Sequence, residues 1–450
     1  MSEQAQIEHP LQFVRINNGW TQEKLAREVR ARARHRGVNL ATSAKTVAKW
    51  EHGVEPEKIA KIALAELLGI SEGVVNIVSW PDWLPRGSIP GADREWGTPG
   101  EAIEALREVV ETPFMDRRGF LVLSGASLLA PVYEWMTKRV MESLASARGL
   151  RVSLEEMESM SASSQAIRLM SEKAGSGVVR NMAHANLELA LSLLRSCSYS
   201  EEVAKRLYDW AAEAAQLAGF NSFDLNDQAS AQRYYTVALR LAHMAGDVSL
   251  GANVVGFMSY QCFSRGHLSD AQRLAELGLE NLRRSGKGSP KVHAMLAGRA
   301  ALVAGKVGDS KKCALATDEA LSALDRSAVE PEPRFTSWID DGHVNGVVGR
   351  AFLHLGDDVK AETHLAKATN PVHNHTRSRA LYLEQMARVG FLRRDMDYVW
   401  VHGREAWEVV SKIQSRRVLR GVKNLAVELE HHGASREARE FSNLLQQSVA

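Results

Sequence analysis

The stretch WTQEKLAREVRARARHRGVNLATSAKTVAKWEHG, residues 20–53, decides how the chain is read. Thr21 to Ala26 opens one helix, and Ser43 to Gly53 spans a second. Ser43 stands where its hydroxyl can accept a hydrogen bond from a free backbone N–H of the first turn. Val47 and Trp50, three apart, share one face and pack inward. Lys45 and Lys49, four apart, share another face and point outward. Gly53 supplies the stop, because a left-handed residue costs glycine nothing. A short helix with a capped leading end, an apolar back and a polar front is what a DNA major groove admits.

Residues 11–70 resemble the helix-turn-helix domain of the phage-repressor-like (xenobiotic-response-element) regulator family. The likeness is carried by Thr21-Gln22-Glu23, Leu25-Ala26, Ser43, Thr46-Val47, Lys49-Trp50-Glu51 and Gly53. The resemblance implies that Gln22 contacts phosphate, with Arg27, Arg30 and Lys49 adding phosphate contacts. It also implies that Ala44, Lys45 and Ala48 or Lys49 meet base edges or flanking phosphates. Ser43 and Thr46 complete the DNA-facing set, while Leu25, Val47 and Trp50 form the motif's core. One departure stands out. Ala26 and Val47 lie 21 residues apart, about twice the family's spacing. The additional residues, 27–40, read as a lengthened first helix followed by a turn at Gly37.

Between Leu11 and Trp50 there are nine Lys or Arg against two Glu, a local charge of +7, whereas the whole chain carries +2. The rest of the molecule is therefore net acidic. Basic charge gathered in one window is the footprint of a phosphate-neutralising surface; on charge alone, solvation of an exposed helix is the better account of the arginines of residues 27–36, and it is charge together with the motif that favours DNA.

At 450 residues the chain exceeds the size at which a single core keeps growing. Apolar content of 45% with 24% charged residues excludes the disordered and membrane classes. Three widely spaced cysteines, Cys197, Cys262 and Cys313, point to a reducing compartment without a disulfide or zinc framework. Arg117-Arg118-Gly119-Phe120-Leu121 resembles a twin-arginine export signal. It lies far from the first residue, and the apolar run after it is too short to span a bilayer; it reads as a buried helix stopped near Pro131. Four prolines and four glycines in residues 79–100 make that stretch a linker, and its Trp80, Trp83 and Trp96 suit docking on a neighbour. The expected organisation is a head over 1–78, the linker over 79–100, connecting helices over 101–177 and a repeat array over 178–450.

In the array, turn-like breaks fall near Asp224, Gly266, Gly308-Asp309, Gly356-Asp357, Asp395 and Gly433, 38 to 48 residues apart. Each is flanked by a helix with apolar residues at its end and one opening on an Ala-rich stripe, as in GKVGDSKKCALATDEALSAL and LHLGDDVKAETHLAKA. Two helices cannot bury their own inner face, so neighbours stack into a solenoid. The pattern resembles the tetratricopeptide superfamily, with a longer and drifting period. RYYTVALRLAHMAGD, residues 233–247, is closest to the repeats of actinobacterial regulators that join such an array to a repressor-like head. The expected fold is all-α: an N-terminal helix-turn-helix domain joined to a C-terminal helical-repeat solenoid.

No enzyme signature is present. Ser285-Gly286-Lys287-Gly288-Ser289 lacks the upstream glycine of a phosphate-binding loop. His373/His375 and His431-His432 lack a third ligand nearby and read as surface or helix-end histidines; no metal or cofactor is expected. Trp338, Asp340, Asp341 and His343 either line a groove or open a helix with an acidic first turn. Tyr234, Tyr235, Phe257, Tyr260 and Phe263 read first as core and second as a ligand pocket. The expected function is that of a cytoplasmic, nucleoid-associated transcriptional regulator, without enzymatic activity. It would bind duplex DNA as a homodimer joined through the repeats, which would also take a peptide, small-molecule or protein signal. The alternative is an interaction scaffold whose head docks protein.

Overall fold

The computed structural model describes residues 9–17, 20–68, 75, 80–81, 84, 94–111, 126–140, 142–147, 149–171, 175–370, 376–413 and 415–431. The twin-arginine-like segment, Trp83, His373, His375 and the Gly433 break lie outside them. Among the described residues the chain is all-α, with nineteen helices. The one sheet is a two-stranded antiparallel pair, β1 (Ser146–Ala147) with β2 (Ser198–Tyr199). No described helix is long and apolar enough to cross a membrane.

The head holds α1 (Pro10–Asn17), α2 (Gln22–His35), α3 (Ala44–Glu51) and α4 (Lys58–Leu67) around its own core. Leu11, Leu25, Val29, Val47 and Leu64 are fully buried there, and Trp50 nearly so. In α4, Ala60, Ile62, Ala63 and Leu64 are buried, and Ile59, Leu67 and Leu68 are half-buried and pack against the head's core. Of the linker, Leu84 and Trp80 pack into this core. Trp96 packs into another, that of the body.

The body begins with α5 (Pro99–Glu111), α6 (Ala126–Thr137), α7 (Leu154–Met170) and α8 (Ser176–Ser196). Pro131 does not stop α6 but sits inside it. It is the sixth of the helix's twelve residues and removes one N–H from the ladder without ending it. Five hairpins follow: α9 (Glu201–Asp224) with α10 (Gln228–Ala245), α11 (Val248–Ser264) with α12 (Leu268–Ser285), α13 (Pro290–Val307) with α14 (Ser310–Arg326), α15 (Asp341–Leu355) with α16 (Asp358–Ala368), and α17 (Thr376–Arg393) with α18 (Met396–Val410). A last helix, α19 (Arg416–His431), closes the described chain. The sequence breaks from Asp224 to Asp395 all fall in or beside the turns inside these hairpins.

The turns share one device. A residue with positive φ (Asn226, Gly246, Gly266, Gly308, Gly356 or Arg394) ends the first helix with paired backbone bonds of the Schellman type. At Gly308, for instance, its N–H donates to the Gly305 carbonyl and that of Asp309 to the Ala304 carbonyl. The next residue is an aspartate in five of the six cases. Asp227, Asp247, Asp309, Asp357 and Asp395 each accept a bond from the backbone N–H three residues on, capping the helix that follows. Helix stop and helix start are thus written in two adjacent residues.

Within each hairpin the first helix is inner and the second outer. Inner helices pack side by side, closest where Gly305 of α13 meets α15. A Cβ at Gly305 would lie 2.3 Å from the Ala351 carbonyl oxygen.

The turns make a direct test. Gly356 has φ +79° and open space around a prospective Cβ, so G356A isolates the backbone penalty; a loss of about 1 kcal/mol in urea unfolding is expected. Arg394 holds φ 57° with a full side chain. R394G relieves that strain and should raise stability by about 0.5 kcal/mol, the gain being trimmed by the extra freedom of glycine in the unfolded chain.

Candidate functional site

The head supplies one site. Thr21 caps α2 through the Lys24 N–H. The helix runs on to His35, and the chain turns at Gly37 with φ +77°. Ser43 and Thr46 form a reciprocal capping box at the start of α3, each side chain meeting the other's backbone N–H. Both residues of the expected DNA-facing set are thereby used, at least in part, to build the helix end. Gly53 has φ +92° and terminates the helix as read from the sequence.

Glu51, at the end of α3, is the electrostatic centre of the head. It is buried, and it accepts bonds from Arg15 Nε at 2.5 Å, Arg15 Nη2 at 3.2 Å and Gln22 Nε2 at 2.8 Å. This bracket ties α1, α2 and α3 together, so Gln22 gives one amide N–H to the protein itself. Arg30 likewise donates to the Thr42 carbonyl and pairs with Glu23. Its expected phosphate role competes with a structural one, and sequence spacing had no means of showing the partner. Arg32 and Arg36 pair with Glu28 and Glu66.

What remains outward is narrower than the charge count. Lys24, Arg27, Arg34, Lys45 and Lys49 are exposed and pair with no acid among the described residues. Ala44 and Ala48, half-buried, leave the front of α3 low between its two lysines. Behind them Val47 is fully buried and Trp50 is 4% exposed; Leu25 of α2 completes the support. The head therefore presents a short rigid helix with a cationic front on a dry apolar seat.

The body supplies a second site, which the sequence only half disclosed. A cavity of about 470 Å³ lies along the inner helices. Leu217 and Phe220 of α9, Phe257 and Tyr260 of α11, Arg299 of α13, His343, Val347 and Arg350 of α15, Tyr382 of α17 and Arg417 of α19 line it. The rim comes from Gln165, Arg168 and Leu169 of α7 and from Ser337, Trp338 and Asp340. No outer helix contributes. Trp338 and His343 thus line a groove, while Asp340 caps α15 through the His343 N–H; both readings of that segment hold. Tyr234 and Tyr235 are core, and Phe257 and Tyr260 are core and cavity wall together.

No motif or spacing announces the charges inside. Tyr260 Oη accepts from Arg417 Nη1 at 3.0 Å and from Arg350 Nη1 at 3.2 Å, and the Arg299 guanidinium lies 4.2 Å from the ring centroid. Burial alone would push the Tyr260 phenol up. Arg350, Arg417 and Arg299 outweigh it and bring the phenol down to about 7. Burial pushes Arg299 down to about 10. A signal for these residues does exist once the turns are known. Counting back from Asn226, Gly266, Gly308 and Gly356, the ninth residue is Leu217, Phe257, Arg299 and Val347 in turn, and the sixth, except at Leu302 before Gly308, is Phe220, Tyr260 and Arg350; these seven share one place in the repeat. Every one of them faces the cavity.

One carboxylate closes the array around this space. Asp224, fully buried at the end of α9, accepts from Ser176 Oγ at 2.7 Å, Ser415 Oγ at 2.9 Å and Arg417 Nε at 3.2 Å, with Arg377 Nε at 3.7 Å. Arg377 also reaches the Ser171 carbonyl. Burial raises the Asp224 carboxyl, but Arg377, Arg417 and the two serines outweigh it and hold it below the ordinary value.

Residues 14–74 match the family model of the SP15 N-terminal domain. The matched segment takes in α2, α3 and α4 and the second half of α1. No curated protein and no solved structure matches the chain.

Two measurements test the interior. D224N keeps the shape but removes the charge that Arg377 and Arg417 answer, and a loss of about 3–5 kcal/mol is expected in urea unfolding. Since the folded carboxyl lies below its unfolded value, the clamp's contribution is complete above the ordinary carboxylate range. It is lost as pH falls through the folded value. For Tyr260, phenolate absorbance should appear with a midpoint near pH 7, worth one of the eight tyrosines. In Y260F that step should be missing.

Proposed function

We propose that the protein is a sequence-specific DNA-binding transcriptional regulator acting in the bacterial cytoplasm and nucleoid, with no enzymatic role. The observation that carries this reading is α3, whose unpaired Lys45 and Lys49 stand before a buried Val47 and Trp50. Its capped leading end and low alanine front suit a major groove. Lys45, flanked by Ala44 and Ala48, is assigned to base edges. Arg27 and Lys49 are assigned to phosphates, with Lys24 and Arg34 adding to the field. Gln22 keeps its second amide N–H for a phosphate, and Arg30 contributes once it leaves Glu23. A single small head buries little surface, so two heads on a two-fold site, joined through the repeat bodies, give the specificity one lacks. The repeat body carries the signal.

Selecting bound duplexes from a random pool tests the assignment. K45A should change the selected motif, while R27A should weaken all sequences alike and lower the log–log salt slope by about 0.9. Binding to a protein partner with no salt-dependent duplex binding would instead make the head a protein-docking module.

A further inference from the structure

The interior of the body holds positive charge that the protein leaves unanswered. Arg299 is 4% exposed and Arg350 is 8% exposed. The guanidinium of Arg299 makes no hydrogen bond or ion pair with any described residue, and that of Arg350 bonds only the Tyr260 hydroxyl. Arg417 is shared between Asp224 and Tyr260. Arg168, at the rim, pairs with Glu213. Against these four arginines the only carboxylate in the wall among the described residues is Asp340, whose side chain caps α15. A buried guanidinium is costly unless an acid answers it. Arg299 and Arg350 have one phenol, Tyr260, between them and no carboxylate of their own among the described residues, which is a standing cost to the fold. Beside them the wall is flat and apolar: Phe257 lies 5.3 Å from Trp338, ring centroid to centroid. The Trp338 indole N–H is itself buried without a hydrogen-bond partner. Where the rim opens, Leu169 is 63% exposed and Gln165 bonds Ser337 at 3.4 Å.

We propose that this cavity binds a small organic anion, with an acid group, phosphate or carboxylate, set among Arg299, Arg350 and Arg417 and an aromatic ring laid against Phe257 and Trp338. A guanidinium fork answers either acid with two parallel bonds. The volume falls within the range of about 300–1,000 Å³ that small-molecule sites occupy. The ligand supplies the negative charge that the wall lacks, so binding stabilises the body where the empty cavity strains it. This site stands whether or not the head binds DNA.

The test is calorimetry and thermal unfolding of the full chain with phenyl phosphate, benzoate, inorganic phosphate and phenol. One equivalent of phenyl phosphate or benzoate should bind at least tenfold more tightly than inorganic phosphate or phenol, and should raise the unfolding temperature. The tighter of the two aromatic acids assigns phosphate or carboxylate. R299M removes a charge that makes no hydrogen bond or ion pair with a described residue and gives up only its stacking on the Tyr260 ring, so it should remain folded, with its own thermal transition, while losing at least tenfold in affinity. R299K, which keeps the charge without the fork, should fall between them. If no aromatic acid binds, or if R299M binds phenyl phosphate and benzoate as the parent does, the proposal is overturned. The comparison with R299M also cancels any anion binding by the head, which that variant leaves intact.

Discussion

The Asp224 carboxylate, sealed from water at the end of α9, is the point on which the body's architecture turns. Its partners come from far along the chain: Ser176 from α8, Arg377 from α17, Ser415 and Arg417 from the start of α19. Helical arrays are ordinarily one-dimensional, each unit touching only its neighbours. Here the early and the late helices meet over a single negative charge. A concave face becomes a chamber, walled by inner helices and α19 and rimmed by α7 and the segment around Trp338. Breaking one partner of such a group leaves the others buried and uncompensated, so the closure is cooperative by construction.

That closure has meaning only because the hairpins deliver the same face inward each time. The delivery rests on the αL-residue and aspartate pair at the turns. By ending one helix and capping the next within two residues, the pair fixes how far each inner helix has wound when it stops. In the first four hairpins the ninth residue before the turn then points into the same space, and so does the sixth in all of them but the third, where it is Leu302. Leucine, phenylalanine and valine occupy several of these positions, as packing alone would require. Tyr260, Arg299 and Arg350 occupy the rest, and they turn a hydrophobic seam into a charged chamber.

The extent to which the sequence disclosed this follows the range of the interactions. Helix stops at Gly53, Gly266, Gly308 and Gly356 were legible because φ and capping are decided within a few residues. So was the all-α character, and so was the inward face of α3 through Val47 and Trp50. The capping box of Ser43 with Thr46 was half legible: Ser43 was read as a cap, while Thr46 was counted toward the DNA-facing set. The hydrogen bond of Gln22 to Glu51 and that of Arg30 to the Thr42 carbonyl cross between elements, and no spacing rule announces them. An arginine inside LAGRAALVAG reads as an outlier on an apolar helix, since its meaning depends on Tyr260 from another repeat and Arg417 from the far end. Trp338 and His343 stayed ambiguous for the same reason, their environment being composed by helices distant in sequence.

The linker has a further consequence. Leu84 is seated in the core of the head, whereas Arg240 of α10 grips the carbonyls of Arg94 and Glu95 and stacks 4.5 Å from the ring of Trp96. Ten peptide units separate the two anchorages, a leash of at most about 36 Å. The seat of Leu84 in the head is consequently kept within that distance of the grip of Arg240 on the body, and whatever the head grasps lies at most a head's width farther off. At such a distance the local concentration of body around the captured partner is millimolar, and even a feeble contact between them would be occupied much of the time.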